Sequence, residues 1–165
     1  MSAASGRKWS AAPAVVLRDP VHLLAFGFGA GLSPFAPGTF GTLVAVPLVL
    51  FVMQFGFVVH LLFAIAAALA GIYLCGESAR RLGVHDHPGI VWDEITGYTV
   101  TMLAAPAKWY WLLAGFVLFR FFDIVKPWPI READHSLRGG TGIMLDDIIA
   151  GIFAGAILFA VQSLV

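Results

Sequence analysis

Five carboxylates in this sequence stand where carboxylates are costly. Asp146 and Asp147 follow the glycine-rich stretch Gly139-Gly140-Thr141-Gly142 and enter an apolar run that continues to Val165. Asp93 and Glu94 stand at the threshold of another apolar stretch, and Asp123 closes the apolar segment that starts at Trp109. A charge within a membrane helix costs about 2.5–3.5 kcal/mol at the bilayer centre and less near the interface. A divalent cation, which takes hard oxygen ligands, is the natural candidate to stabilise such a group. One acidic pair at a helix start can be a solvated end favoured by the helix dipole. Two such pairs favour metal binding. Asp86 is a further candidate ligand beside the second pair, and its neighbours His85 and His87 read as ordinary loop histidines.

Cations and amide donors accompany the acids. Arg120 and Lys126 lie three residues either side of Asp123, so a helix there puts all three on one face. This is either an ion-pair network at the membrane edge or a clamp for phosphoryl oxygens beside a metal. The segment Pro37-Gly38-Thr39-Phe40-Gly41-Thr42 follows a second proline at Pro34 and opens a helix near Thr39 or Thr42. Backbone N–H groups and threonine hydroxyls at such a start form an anion cradle. The plainer reading is a turn and N-cap before a membrane helix, and local pattern alone favours it.

The elements that must position these residues are apolar helices. Hydrophobic residues make up 59% of the 165-residue chain and charged residues 12%, with a mean hydropathy of +0.87. Soluble domains average about 45–50% and roughly 25%. The expectation is an all-α, compact multihelical integral membrane protein built with short helical hairpins. Residues 1–20 read as a polar amino-terminal arm with a cytoplasmic start and no convincing cleavable signal, and residues 21–165 as one membrane-embedded domain. The zero formal net charge gives no hint of a nucleic-acid partner, and the lone Cys75 permits no intrachain disulfide. Oligomeric state is not legible.

In chain order, Val21–Leu32 is too short to cross about 30 Å of hydrocarbon. Leu43–Val59 and Leu61–Cys75 read as a hairpin crossing and returning, with His60 at its far turn, and Arg80 and Arg81 mark a cytoplasmic loop. Ile95–Ala105 and Trp109–Phe122 read as a second, partly penetrating hairpin turning near Pro106. One kinked span is the alternative, and it would separate Asp93 from Asp123 by about 30 Å. Trp109, Trp111 and Trp128 read as interfacial anchors, and Arg131 and Arg138 keep the following loop positive. An odd number of crossings places all the motif loops on the cytoplasmic face and the carboxyl terminus on the far side.

Four blocks, in order, resemble those of the bacterial phosphatidylglycerophosphatase A family. They are Pro34–Thr42; Asp86 with Ile90–Gly97; Phe119–Ile130; and Gly139–Gly151. The resemblance runs from about Gly31 to the chain end, with no departure at the acids or at Lys126. It implies a Mg²⁺-dependent lipid phosphatase of the bacterial inner membrane, multi-pass, with its active site toward the cytoplasm. Such an enzyme converts phosphatidylglycerophosphate to phosphatidylglycerol in phospholipid biosynthesis. It also implies a compact multihelical fold that some soluble relatives share.

On this reading Asp93, Glu94, Asp123, Asp146 and Asp147 hold metal, with Glu94, Asp93, Asp123 and Lys126 carrying the chemistry. Glu94 is the choice for general base, and Lys126 binds phosphate. Pro37, Gly38, Thr39, Gly41, Thr42 and Arg120 contact phosphate, an acid or the headgroup. Five acids exceed one magnesium's need, so either two ions bind or one acid has another role. Two rivals remain. A phosphatidyltransferase acting on a cytidine-diphosphate lipid would also use acids and Mg²⁺, but its Asp-Gly-x-x-Ala-Arg start is absent. An ion transporter would more often place carboxylates at mid-span.

Overall fold

Helix starts and stops in this chain are set by proline and glycine. The computed structural model describes residues 12–84, 87–128, 130 and 139–164, and among them the regular structure is all helical. Pro13 opens α1 (Pro13–Arg18) and Pro20 opens α2 (Pro20–Ala25), where the missing proline N–H costs nothing. Asp19 separates the two and accepts the Val21 N–H at 2.8 Å, an N-cap. Irregular 3-10 turns over Gly27–Leu32 follow. The helix expected near Thr39 or Thr42 begins earlier, at Pro37: α3 spans Pro37–Met53. Gly56 then breaks the chain before α4 (Phe57–Leu82), which runs well past Cys75. Next come α5 (Trp92–Thr101), a 3-10 turn at Met102–Ala104, α6 (Trp109–Val125) and α7 (Gly140–Gln162).

Part of the expected amino-terminal arm is ordered structure. Val16 on α1 is fully buried beside Ala25 and Phe26, and Asp19 pairs with Arg81 on α4 at 2.5 Å. His85, Asp86, Arg131 and Arg138 lie outside the described residues.

The short helix α5 is the centre of the bundle. It packs on α7, α3, α4 and α6, and Ile95, Tyr98 and Thr99 on it are fully buried. A buried helix with three threonines must satisfy their hydroxyls. Thr96, Thr99 and Thr101 donate to the carbonyls of Trp92, Ile95 and Gly97 on their own helix. His60 is no turn residue: it is buried in the first turn of α4, with Nε2 3.0 Å from the Thr99 carbonyl oxygen near the end of α5. Trp111 is likewise buried rather than interfacial, while Trp109 and Trp128 are exposed.

Two glycines let α5 and α7 cross closely. A β-carbon on Gly151 would strike the Gly97 carbonyl oxygen, and one on Gly97 would lie 2.7 Å from the Asp147 carbonyl oxygen. Such small-residue contacts let backbones approach in apolar surroundings. The outer faces of the helices are apolar. Val58, Leu62, Ile65, Leu69 and Tyr73 form an exposed stripe on α4, and Leu113, Val117, Phe121 and Ile124 form one on α6. α4 and α7 are long and apolar enough to cross a membrane.

Candidate active site

The crossing of α5 and α7 places the acids. Asp93 precedes Gly97 by four residues, and Asp147 precedes Gly151 by four, so each acid lies one turn before the contact. Oxygen atoms of Asp93, Glu94 and Asp147 can all lie within 4.8 Å of one another. Asp93–Glu94 occupies the first turn of α5 as the sequence suggested. Asp146–Asp147 does not open its helix: α7 starts at Gly140, and both acids are buried one to two turns inside it.

The hairpin through Ala105–Lys108 returns α6 to the same place. Arg120 Nη1 lies 2.6 Å from Asp123 Oδ2 and 3.5 Å from Glu94 Oε1, so the single kinked span is excluded. At the end of α6, Lys126 adopts a left-handed conformation (φ 43°, ψ 60°), which costs a non-glycine residue about 1–2 kcal/mol. Its Nζ contacts Asp146 Oδ2 at 2.5 Å. All five carboxylates and Lys126 line one open cleft, together with the apolar Pro88, Ile90 and Ile143.

The structure thus divides the acids into three groups. Arg120 engages Asp123 and, at 3.5 Å, Glu94; Lys126 engages Asp146; and oxygens of Asp93, Glu94 and Asp147 converge. Asp93 Oδ1 and Glu94 Oε2 are buried with no hydrogen-bond partner. Buried carboxylate oxygens ordinarily have one, so these two could hold a ligand. The donor set, all oxygen and anionic, suits a hard divalent ion of the magnesium type. Without such an ion the charges cost dearly. Burial, with the neighbouring Glu94 and Asp147 charges, pushes the Asp93 carboxyl well above its usual range. Burial pushes Glu94 up to about 7, helped by Asp123 and opposed by its contact with Asp93 and by the Arg120 charge.

The glycine-threonine segment meets the site at Glu94. Pro37, Gly38, Thr39, Gly41 and Thr42 form the first turns of α3 and are not part of the cleft wall. Gly38 abuts the Glu94 carboxylate, with Arg120 Nη1 2.9 Å from where its β-carbon would be. Gly41 packs on Val91, and the buried Thr42 hydroxyl donates to the Gly38 carbonyl at 2.9 Å. Asp86 lies outside the described residues. Two positions that bear on the site had no role assigned from sequence, Gly97 and Gly151. Their signal was present as an Asp-x-x-x-Gly spacing repeated in two blocks.

The phosphatidylglycerophosphatase A family model matches residues 23–162. A phosphatidylglycerophosphatase A of Escherichia coli is 46% identical over 87% of this chain and 84% of its own. One from Haemophilus influenzae is 47% identical over 90% of this chain and 92% of its own. A protein of Bacteroides thetaiotaomicron named as a candidate phosphatidylinositol-3-phosphatase is 40% identical over 80% of this chain and 87% of its own. No solved structure matches the chain.

Proposed function

Because the chain belongs to the phosphatidylglycerophosphatase A family, we propose that it hydrolyses the terminal phosphate of phosphatidylglycerophosphate and leaves phosphatidylglycerol. The structural observation that supports this most directly is the convergence of Asp93, Glu94 and Asp147 with Lys126 in one cleft at the surface of an apolar bundle, with Arg120 paired to Asp123 and Glu94 of the cleft wall. A phosphate monoester dianion cannot enter an array of bare carboxylates. Asp93 and Asp147 would hold Mg²⁺, which usually takes one or two carboxylates and keeps waters. That ion would supply Lewis acidity at the phosphoryl oxygens and make water a better nucleophile.

The protein's own groups account for the rest. Lys126 and Arg120 place positive charge at the cleft, where charge on the phosphoryl oxygens must be balanced. Glu94, with a proton affinity near neutrality, takes the proton of the attacking water. The water oxygen bonds to phosphorus, the phosphorus bond to the glycerol oxygen breaks, and that oxygen takes a proton from bulk water. Pro88, Ile90 and Ile143 at the cleft edge face the glycerol end of the substrate, and the acyl chains stay in lipid. The exposed apolar stripes of α4 and α6 lie in the bilayer of the bacterial inner membrane, and the cleft opens toward the cytoplasm.

The test is phosphate release from phosphatidylglycerophosphate in detergent micelles, with Mg²⁺ or with EDTA, for wild type and folded Asp147→Asn. Release that requires Mg²⁺ and is lost in the variant is the expected result. Metal-independent release would remove the role given to magnesium. No release from well-folded wild type would overturn the substrate assignment.

A further inference from the structure

Asp146 and Asp147 are neighbours on α7, yet they meet different groups. Successive residues of a helix point about 100° apart. α7 packs against both α5 and α6, and the two acids divide between them. Asp147 joins Asp93 and Glu94 of α5, while Asp146 Oδ2 meets Lys126 Nζ from the end of α6 at 2.5 Å. We infer that the Lys126 ammonium is the resident cation of a second position on Asp146, so that the resting site binds one divalent ion rather than two. This rests on the ion-binding reading of the Asp93, Glu94 and Asp147 group.

Three features carry the inference. Asp146 is buried to 6% exposure, so its charge requires a counter-ion, and the ammonium supplies one from within the chain. A second divalent ion at Asp146 Oδ2 would have to displace that ammonium, because two cations at one oxygen repel. The left-handed backbone at Lys126, which Ala36 before Pro37 shares, carries the side chain toward Asp146. Lys126 closes α6 with φ 43°, a left-handed residue at a helix end where glycine or asparagine fits with less strain. Strain of this kind persists where the surroundings require it. Here it accompanies a side chain aimed into the acid group.

The test counts bound ions rather than turnover. Mn²⁺ replaces Mg²⁺ as a spectroscopic probe, and equilibrium dialysis of the full chain in detergent gives ions per chain. Wild type is compared with Lys126→Met, Lys126→Gly and the double variant Lys126→Met/Asp146→Asn, each checked for helix content. Lys126→Gly guards against misfolding because glycine accepts the left-handed conformation freely. The expected counts are about one for wild type, about two for each lysine variant and about one for the double variant, in keeping with the few carboxylates each such ion takes. Two ions on wild type would overturn the inference and leave the ion-binding reading intact. One ion on wild type and on both lysine variants would overturn it also, since Lys126 would then exclude nothing. No ion on wild type would overturn the ion-binding reading itself, and this inference with it.

Discussion

Asp93 and Glu94 illustrate how much of this protein's chemistry is settled at single side chains. Each has a buried oxygen with no hydrogen bond, and each lies beside other acids. Asp93→Asn removes one charge from that group. We expect phosphatase activity to fall by about 10²-fold or more, the scale seen when one electrostatic contact to a transition state is lost. We also expect the metal-free protein to be as stable as wild type or more so, because a buried like-charge contact disappears. Phosphate release and thermal melting with EDTA check the two halves. The pH dependence follows from the same group. Glu94 rises from about 4.5 when exposed to about 7 in the fold, and Asp93 also rises, so the folded state binds more protons than the unfolded chain in this window. Stability of the metal-free protein is therefore greatest below about pH 4.5 as far as these groups are concerned, and falls as pH rises through 7. Melting temperatures in EDTA from pH 5 to 8 should show the fall, and Glu94→Gln should flatten it. Saturating Mg²⁺ should reverse the trend, since metal displaces the protons. The acids themselves were legible in the sequence, because carboxylates beside apolar runs are conspicuous. Their division was not. Which acid meets Lys126 and which meet Arg120 depends on helix rotation, and spacing alone does not give that.

Helix α5 is where local sequence and global position disagree most. Its ten residues include three threonines and a glycine, a poor recipe for an isolated helix. Burial on all sides holds it, and each threonine hydroxyl returns to its own helix. The hairpin between α5 and α6 was legible from Pro106 and from the distance that separates Asp93 and Asp123 in any other arrangement. The start of α7 was not. Gly139-Gly140-Thr141-Gly142 reads as a loop, yet Gly140 and Gly142 are buried helical residues, and Gly140 lies against the Ile72 carbonyl of α4. Glycine there answers a need for close packing, not for a turn, and composition does not distinguish the two. The same holds at Gly97 and Gly151. Gly151→Ala inserts a methyl group against the Gly97 carbonyl, so α5 and α7 must separate. We expect a loss of about 1–3 kcal/mol in stability, the range for overpacking a tight core. Activity should fall as well, because Asp93 and Asp147 sit one turn from that contact. Thermal unfolding and phosphate release on the same preparation measure both. Unchanged melting with unchanged activity would show that the crossing tolerates a methyl group and does not set the acid spacing.

Among the described residues, large apolar side chains lie on the outside of the bundle as well as in its core. Fully buried positions include Thr42, Ser78, Thr96 and Thr99, while Leu69, Val58 and Ile124 are each at least 65% exposed. The stripe on α4 recurs at intervals of three and four residues from Val58 to Tyr73, the period of one helix face. At about 1.5 Å per residue, α4 and α7 reach past a hydrocarbon core of about 30 Å. α3 and α6 have seventeen residues each, at the short end of the range that spans. A mid-helix charge on the stripe separates the two environments. Leu69→Asp at an exposed position in water should change stability by no more than about 0.5 kcal/mol. In the bilayer the same aspartate costs about 2.5–3.5 kcal/mol near the centre of a span. We expect Leu69→Asp to lower the amount of chain that stays with membranes after an alkaline carbonate wash. Phosphate release per molecule of the chain that remains inserted should be preserved, because Leu69 points away from the cleft. Full retention in the membrane fraction would place this stripe outside the hydrocarbon, and the bundle would then sit at the lipid surface with its cleft against the headgroups.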